Sequence, residues 1–136
     1  AQIPWALDDG ICEMLPIMQS DIQLQKENSI LIIDAKYYKS TTQMNFKKYS
    51  LHSNNLYQIF TYVKNREYQN QEHGSKVSGM LLYAKTDEVV QPDNVYQMHG
   101  NQISVQTLDL NLSFKEMANQ LDTIVVSHFG NVKKFR

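Results

Sequence analysis

Ser20-Asp21-Ile22-Gln23-Leu24-Gln25-Lys26-Glu27-Asn28-Ser29-Ile30-Leu31-Ile32-Ile33-Asp34-Ala35-Lys36 is the stretch that decides the fold of this chain. The run Ile30 to Ile33 is continuously apolar and mostly β-branched, the composition of a strand covered on both faces. Asp34 and Lys36 interrupt it where apolar residues are expected. Side chains two apart on a strand share a face, so these two project together while Ala35 points the other way. The short segment Asp21 to Leu24 is strand-like, and the polar turn Lys26-Glu27-Asn28 can return it antiparallel to the first strand. That pairing brings Asp21 toward Asp34.

Two carboxylates and an ammonium at one strand end suit a hard divalent cation acting on a phosphodiester. Such hydrolysis needs neutralised phosphate charge, an activated water and a stabilised leaving oxygen, and Mg²⁺ supplies all three. The ion prefers oxygen ligands and keeps several waters, so Asp21, Asp34 and the Ala35 carbonyl suffice as a protein ligand set. Lys36 is placed to orient or deprotonate the attacking water, or to stabilise charge on the phosphate. The spacing equally allows a structural Asp34–Lys36 pair, with Asp21 capping a turn.

Outward from this centre, Leu56, Ile59, Phe60 and Val63 recur at helical spacing over Asn54 to Lys64, with Asn54 or Asn55 as N-cap. Val77 to Lys85, containing Gly79-Met80-Leu81-Leu82-Tyr83-Ala84, reads as a second buried strand. His99-Gly100-Asn101-Gln102 reads as a hairpin turn with Gly-Asn available for positive φ, and the following strand, Ile103 to Leu108, alternates as if one face were wet. Phe114, Met117, Ala118, Leu121, Ile124 and Val125 define a helix from Ser113 to about Ser127, opened by a Ser113/Glu116 capping box. Lys39 to Ser53 and Asn65 to Lys76 read as polar loops, the first with lysines 39, 47 and 48 able to track a phosphate backbone. A strand is expected near Leu15 to Met18, and Trp5 is expected to anchor the N-terminal segment in the core. Tyr37 and Tyr38 divide between core packing and an exposed rim position, from which a ring can stack on a base. The basic end, residues 133–136, reads as a solvated terminus.

The length of 136 residues suits one domain, and the formal charge of −1 provides no global attraction to a polyanion. Any nucleic-acid contact must therefore be local. One cysteine, Cys12, cannot form an internal disulfide and fits a reducing, cytoplasmic setting. The apolar runs are too short to span a bilayer. His52, His73, His99 and His128 lack metal-ligand spacing, and no phosphate-loop string of the type G-x-x-x-x-G-K-[ST] occurs.

Two linked motifs carry a family resemblance. Ser20-Asp21 followed by Ile33-Asp34-Ala35-Lys36 resembles the PD-(D/E)xK nuclease motif, and Gln58-Ile59-Phe60-Thr61-Tyr62 resembles the QxxxY helix signature of its RecB-like branch. The wider wording, including Leu31 to Tyr38, Leu56 to Phe60, Gly79 to Tyr83 and Thr107-Leu108-Asp109-Leu110, is similar to the C-terminal nuclease part of the McrC family. The resemblance implies an α/β, restriction-endonuclease-like core with a central mixed sheet flanked by helices. It places Asp21, Asp34 and Lys36 on catalytic and metal-binding positions, and Gln58 and Tyr62 close by on one helix face. Ser20 stands where the motif has proline. For the helical acid that some superfamily members add upstream there is no clear match; Glu13 is the only reasonable candidate, against a plain surface role for it.

By the same resemblance the chain is expected to be a single nuclease domain, residues 1–136, of a longer protein. The implied activity is endonucleolytic cleavage of DNA, dependent on Mg²⁺ with Mn²⁺ as a substitute, in a methylcytosine-directed restriction system. The implied partner is an AAA+ GTPase resembling McrB, engaged through a part for which this chain has no room. Two alternatives stay open: a nuclease-fold module that binds or assembles without cutting, and a structure-selective nuclease working without a GTPase.

Overall fold

A computed structural model describes residues 2–38, 42–45 and 48–130, with backbone alone at 42–45 and 48–50. Strands β3 (Ile22–Lys26), β4 (Ser29–Lys36), β7 (Lys76–Ala84), β8 (Asn94–Met98) and β9 (Asn101–Leu108) form one sheet in the order β3-β4-β7-β9-β8. The inner strands β4, β7 and β9 are parallel, and the edge strands β3 and β8 run antiparallel to their neighbours. Helix α1 (Ser53–Gln69) connects β4 to β7, and α2 (Phe114–Phe129) follows β9. Two short ribbons complete the chain: β1 (Gln2–Ile3) with β2 (Met18–Gln19), and β5 (Thr42–Asn45) with β6 (Lys48–Leu51).

Alternation along β4 divides the core. Ile30 and Ile32 join Ile59, Val63, Val77, Leu81, Tyr83, Ile103 and Val105 beneath α1. Leu31 and Ile33 join Met80 and Leu82 on the other face, where Leu121, Ile124 and Phe129 of α2 pack against them. Gly79 allows α1 to lie directly on β7: a Cβ there would stand 2.7 Å from Ile59 Cγ1 and 2.8 Å from Val63 Cγ2. This is the mixed α/β, restriction-endonuclease-like architecture expected, with β4 and β7 internal in the sheet.

Several local expectations are corrected. Lys39 to Ser53 contains the β5–β6 ribbon and the start of α1 instead of one loop, because Met44, Tyr49 and Leu51 are too few in two such short strands to mark a hydrophobic period. The lysine readings at 39, 47 and 48 lie outside the described side chains, as do residues 131–136. Asn65 to Gln69 continues α1, followed by a 3₁₀ turn at Gln71–His73. No glycine or proline interrupts the chain before Gly74, and Arg66 and Asn65 find side-chain or backbone partners that favour helix. His52 occupies the N-cap of α1 without a side-chain cap bond, in place of Asn54 or Asn55.

At the β8–β9 turn, His99 (φ 51°) and Gly100 (φ 85°) take the positive angles, one residue earlier than expected. Met98 pairs with Asn101, so the loop holds two residues, and positive φ at both is the type I′ geometry that suits strand twist. Strand β9 is covered on both faces: Ser104 is buried and donates to the Gly79 carbonyl, so a small polar residue disguised an interior position. Of the strand expected at Leu15 to Met18 only Met18 is in a strand, the two-residue β2, Met18–Gln19. Trp5 packs partly buried against the core and donates its indole N–H to Pro16 O at 2.7 Å. Ser113 caps α2, accepting the Glu116 N–H at 3.2 Å. No helix among the described residues is long and apolar enough to cross a membrane.

Candidate active site

The β3–β4 register pairs Ile22 with Ile33, so one residue further along Asp21 falls opposite Asp34. Asp21 lies at a bend just before β3, where its Oδ2 accepts the Ala35 N–H at 2.8 Å. The N–H and C=O of one strand residue face the same edge, so the Ala35 carbonyl is directed to the side that Asp21 occupies. Ser20 is 3% exposed and its hydroxyl accepts from Gln23 at 3.2 Å, while Arg66 of α1 donates to Gln23 at 3.0 Å. In the position where the motif carries proline, a serine hydroxyl thus ties down the bend that presents Asp21.

Asp34 and Lys36 lie on the α1 face of β4. Their side chains are 7% and 16% exposed, and Lys36 Nζ approaches Asp34 Oδ2 to 2.7 Å. The same ammonium donates to Gln58 Oε1 at 2.6 Å, and Gln58 Nε2 donates to the Tyr62 hydroxyl at 3.0 Å. Gln58 and Tyr62 are one turn apart, which puts both on the stripe of α1 facing the sheet. All five expected residues, Asp21, Asp34, Lys36, Gln58 and Tyr62, are therefore brought into one connected cluster.

Burial is the main influence on Asp34 and pushes its carboxyl above the usual carboxylate range. Lys36 opposes this by hydrogen bond and charge, whereas Asp21 adds to it through both charge and a hydrogen bond. For Lys36, burial acts to lower the pKa, but the Asp34 hydrogen bond and charge lead the influences that reverse it, leaving the ammonium favoured. Two carboxylates converging at a half-dry strand end are mutually unfavourable without a cation. Lys36 provides one positive charge, and the oxygen set Asp21, Asp34 and Ala35 C=O fits an added hard cation that keeps most of its waters. No group of three or more histidine, cysteine or acidic side chains placed to hold a metal exists among the described residues.

A second chain of hydrogen bonds escaped the sequence reading. Asn55, 5% exposed, accepts from the Tyr38 hydroxyl at 3.1 Å and donates to the Tyr83 hydroxyl at 3.0 Å. Tyr83 pairs in register with Lys36, and the Tyr38 ring packs against His52 and Tyr83. The signal was available: Asn55 precedes Gln58 by three residues and so shares its helix stripe. Its reading as a cap hid this. Both tyrosines after Lys36 are exposed, Tyr37 at 80% and Tyr38 at 38%, so neither takes the expected core position.

Residues 13–84 match the family of the McrBC 5-methylcytosine restriction system component, more than half of the chain. The chain belongs to this family. Over 105 residues it is 33% identical to the Type IV methyl-directed restriction enzyme EcoKMcrBC of Escherichia coli (strain K12). That alignment covers 77% of this chain and 29% of the relative, so the chain spans less than a third of that protein's length. The stretch matched by the McrBC family contains all five residues of the cluster.

Proposed function

We propose that this chain is the nuclease part of a methylcytosine-directed restriction system and cuts DNA phosphodiester bonds by Mg²⁺-dependent hydrolysis. One observation carries the proposal: the shared Lys36 ammonium links the strand carboxylate pair to the Gln58–Tyr62 pair of α1, inside the family-matched stretch. Asp21, Asp34 and the Ala35 carbonyl would hold the cation. When bound, the cation neutralises phosphate charge and makes a coordinated water more acidic.

The residues of the chain do the rest. Asp34 must be ionised to take part, and its burial makes that ionisation depend on a neighbouring positive charge. Lys36, favoured as an ammonium, neutralises charge on the phosphate, which fits the geometry better than removing a proton from water. Gln58 fixes the direction of that ammonium, and Tyr62 fixes Gln58. A chain of net charge −1 suits a cytoplasmic nuclease delivered to DNA by a partner, here an McrB-like AAA+ GTPase acting through a region outside these residues.

The test is plasmid nicking by the purified chain with Mg²⁺ or Mn²⁺, compared with Asp34→Asn. Weak metal-dependent nicking that disappears in the variant is expected. Equal nicking by both proteins overturns the assignment, and vigorous cutting of unmodified plasmid would favour a nuclease that needs no GTPase.

A further inference from the structure

A groove of about 450 Å³ opens beside the cluster, between the N-terminal segment and the outer side of α1. Its volume lies within the roughly 300–1,000 Å³ typical of ligand sites. Trp5 and Ile17 form one wall, and Asn54, Tyr57 and Thr61 form the other. Gln58 and Tyr62 also line it, so the groove and the candidate active site share a boundary.

The N-terminal wall is held in place. Ile3 and Met18 are buried, the Trp5 indole N–H bonds Pro16 O, and the Ala6 N–H donates to Asn65 Oδ1 of α1 at 2.6 Å. Tyr57, by contrast, is 68% exposed, and no structural demand of the core accounts for its ring. Among the described residues, no charged side chain lines the groove. Neutral walls give no purchase on a phosphate backbone, and without carboxylates they do not repel a polyanion. An exposed ring such as Tyr57 accepts any base by stacking. The Asn54 amide can bond a base edge, and the Thr61 hydroxyl, whose proton goes to Tyr57 O at 2.7 Å, can still accept.

The geometry points to this groove as a binding site for an unstacked nucleobase of the DNA strand that runs on from the scissile phosphate. The inference rests on the nuclease reading above. A strand with a phosphate at Lys36 and Asp34 must leave the site, and the Gln58–Tyr62 boundary opens directly onto the groove. Trp5 on one side and Tyr57 on the other then bracket the base.

Trp5 is the single tryptophan of the chain, so its fluorescence reports the groove directly. The experiment titrates a short oligothymidylate into the chain with EDTA present, for the wild type, Tyr57→Ala and Tyr68→Ala. Tyr68 is an exposed tyrosine of the same helix that does not line the groove. Expected is quenching by the oligonucleotide, with affinity falling about 5- to 150-fold in Tyr57→Ala, the range for loss of one base–aromatic stack, and unchanged in Tyr68→Ala. Circular dichroism checks that the exposed substitution leaves the fold intact. Absent quenching, or equal affinity in wild type and Tyr57→Ala, overturns the inference. Unchanged oligonucleotide binding with altered sedimentation in Tyr57→Ala would assign the groove to a protein surface and likewise overturn it. Because binding is read without metal, quenching by a chain that never nicks DNA would sink the nuclease reading and leave the groove standing.

Discussion

The Lys36 ammonium is shared between Asp34, 2.7 Å away on its own strand, and Gln58, 2.6 Å away on α1. A flexible four-carbon side chain is thereby held at two points from two elements, and its charge has one direction. Without Gln58 only the strand carboxylate would hold it, and that carboxylate is also the one a cation would take.

Gln58→Ala is therefore expected to remove one charged hydrogen bond and lower stability by about 1.5–3 kcal/mol. Nicking should fall more than DNA affinity does, since the misdirected group is Lys36. Urea denaturation and a kcat-against-KM comparison check this. A variant with normal rate and reduced stability would show the Gln58 bond to be purely structural.

Lys36→Ala should keep its metal and lose its rate. None of the candidate metal oxygens comes from Lys36, so Mn²⁺ binding measured by calorimetry is expected to persist, while nicking drops about 10²- to 10³-fold, as when one charge-stabilising donor is deleted. Loss of both would make Lys36 a structural prop for Asp34.

The Asp34 carboxyl should titrate above the ordinary carboxylate range, chiefly because it is buried, and Asp21 adds to the shift. A raised carboxyl pKa means that the folded chain holds this proton more tightly than the unfolded chain. The group therefore favours folding in acid, and that contribution is lost as pH rises through the folded value. NMR titration of the carboxyl carbons without metal should show the raised value, and Asp21→Asn should bring it down. Metal-dependent nicking should rise with pH as Asp34 loses its proton, at a lower pH than in the metal-free titration because the cation competes with that proton.

Gly79→Ala tests how closely α1 sits on the sheet. The added methyl would meet Ile59 and Val63 at under 3 Å, and both belong to the buried core under the helix. Overpacking of this kind costs about 1–3 kcal/mol. Because Ile59 adjoins Gln58, nicking should decline as well. Thermal unfolding of the variant measures the first effect, and a melting temperature equal to the wild type would mean that α1 can lift without cost.

Much of the site was legible in the linear chain. Asp34 and Lys36 share a face because a strand has a period of two, and Gln58 and Tyr62 share one because a helix nearly repeats every four residues. Asp21 could be placed near Asp34 because the turn between their strands is short. These are local rules, and they held from Asp21 to Lys36 without knowledge of anything outside. The loop expectations failed for the complementary reason. The β5–β6 ribbon and the Arg66 end of α1 are mostly polar, and what orders a polar segment is the partner it finds, such as Gln23 for Arg66.

The sequence by itself determined the buried strands, the two helices and which acidic and basic side chains share a face, since these follow from periodicity and backbone geometry. Only the tertiary structure decided that α1 lies across Gly79 with Gln58 against Lys36, that Asn55 joins Tyr38 to Tyr83, and that Trp5 and Tyr57 line one groove. Each of those pairs residues well separated along the chain, and such meetings are set by how the elements pack, a quantity that no local pattern records.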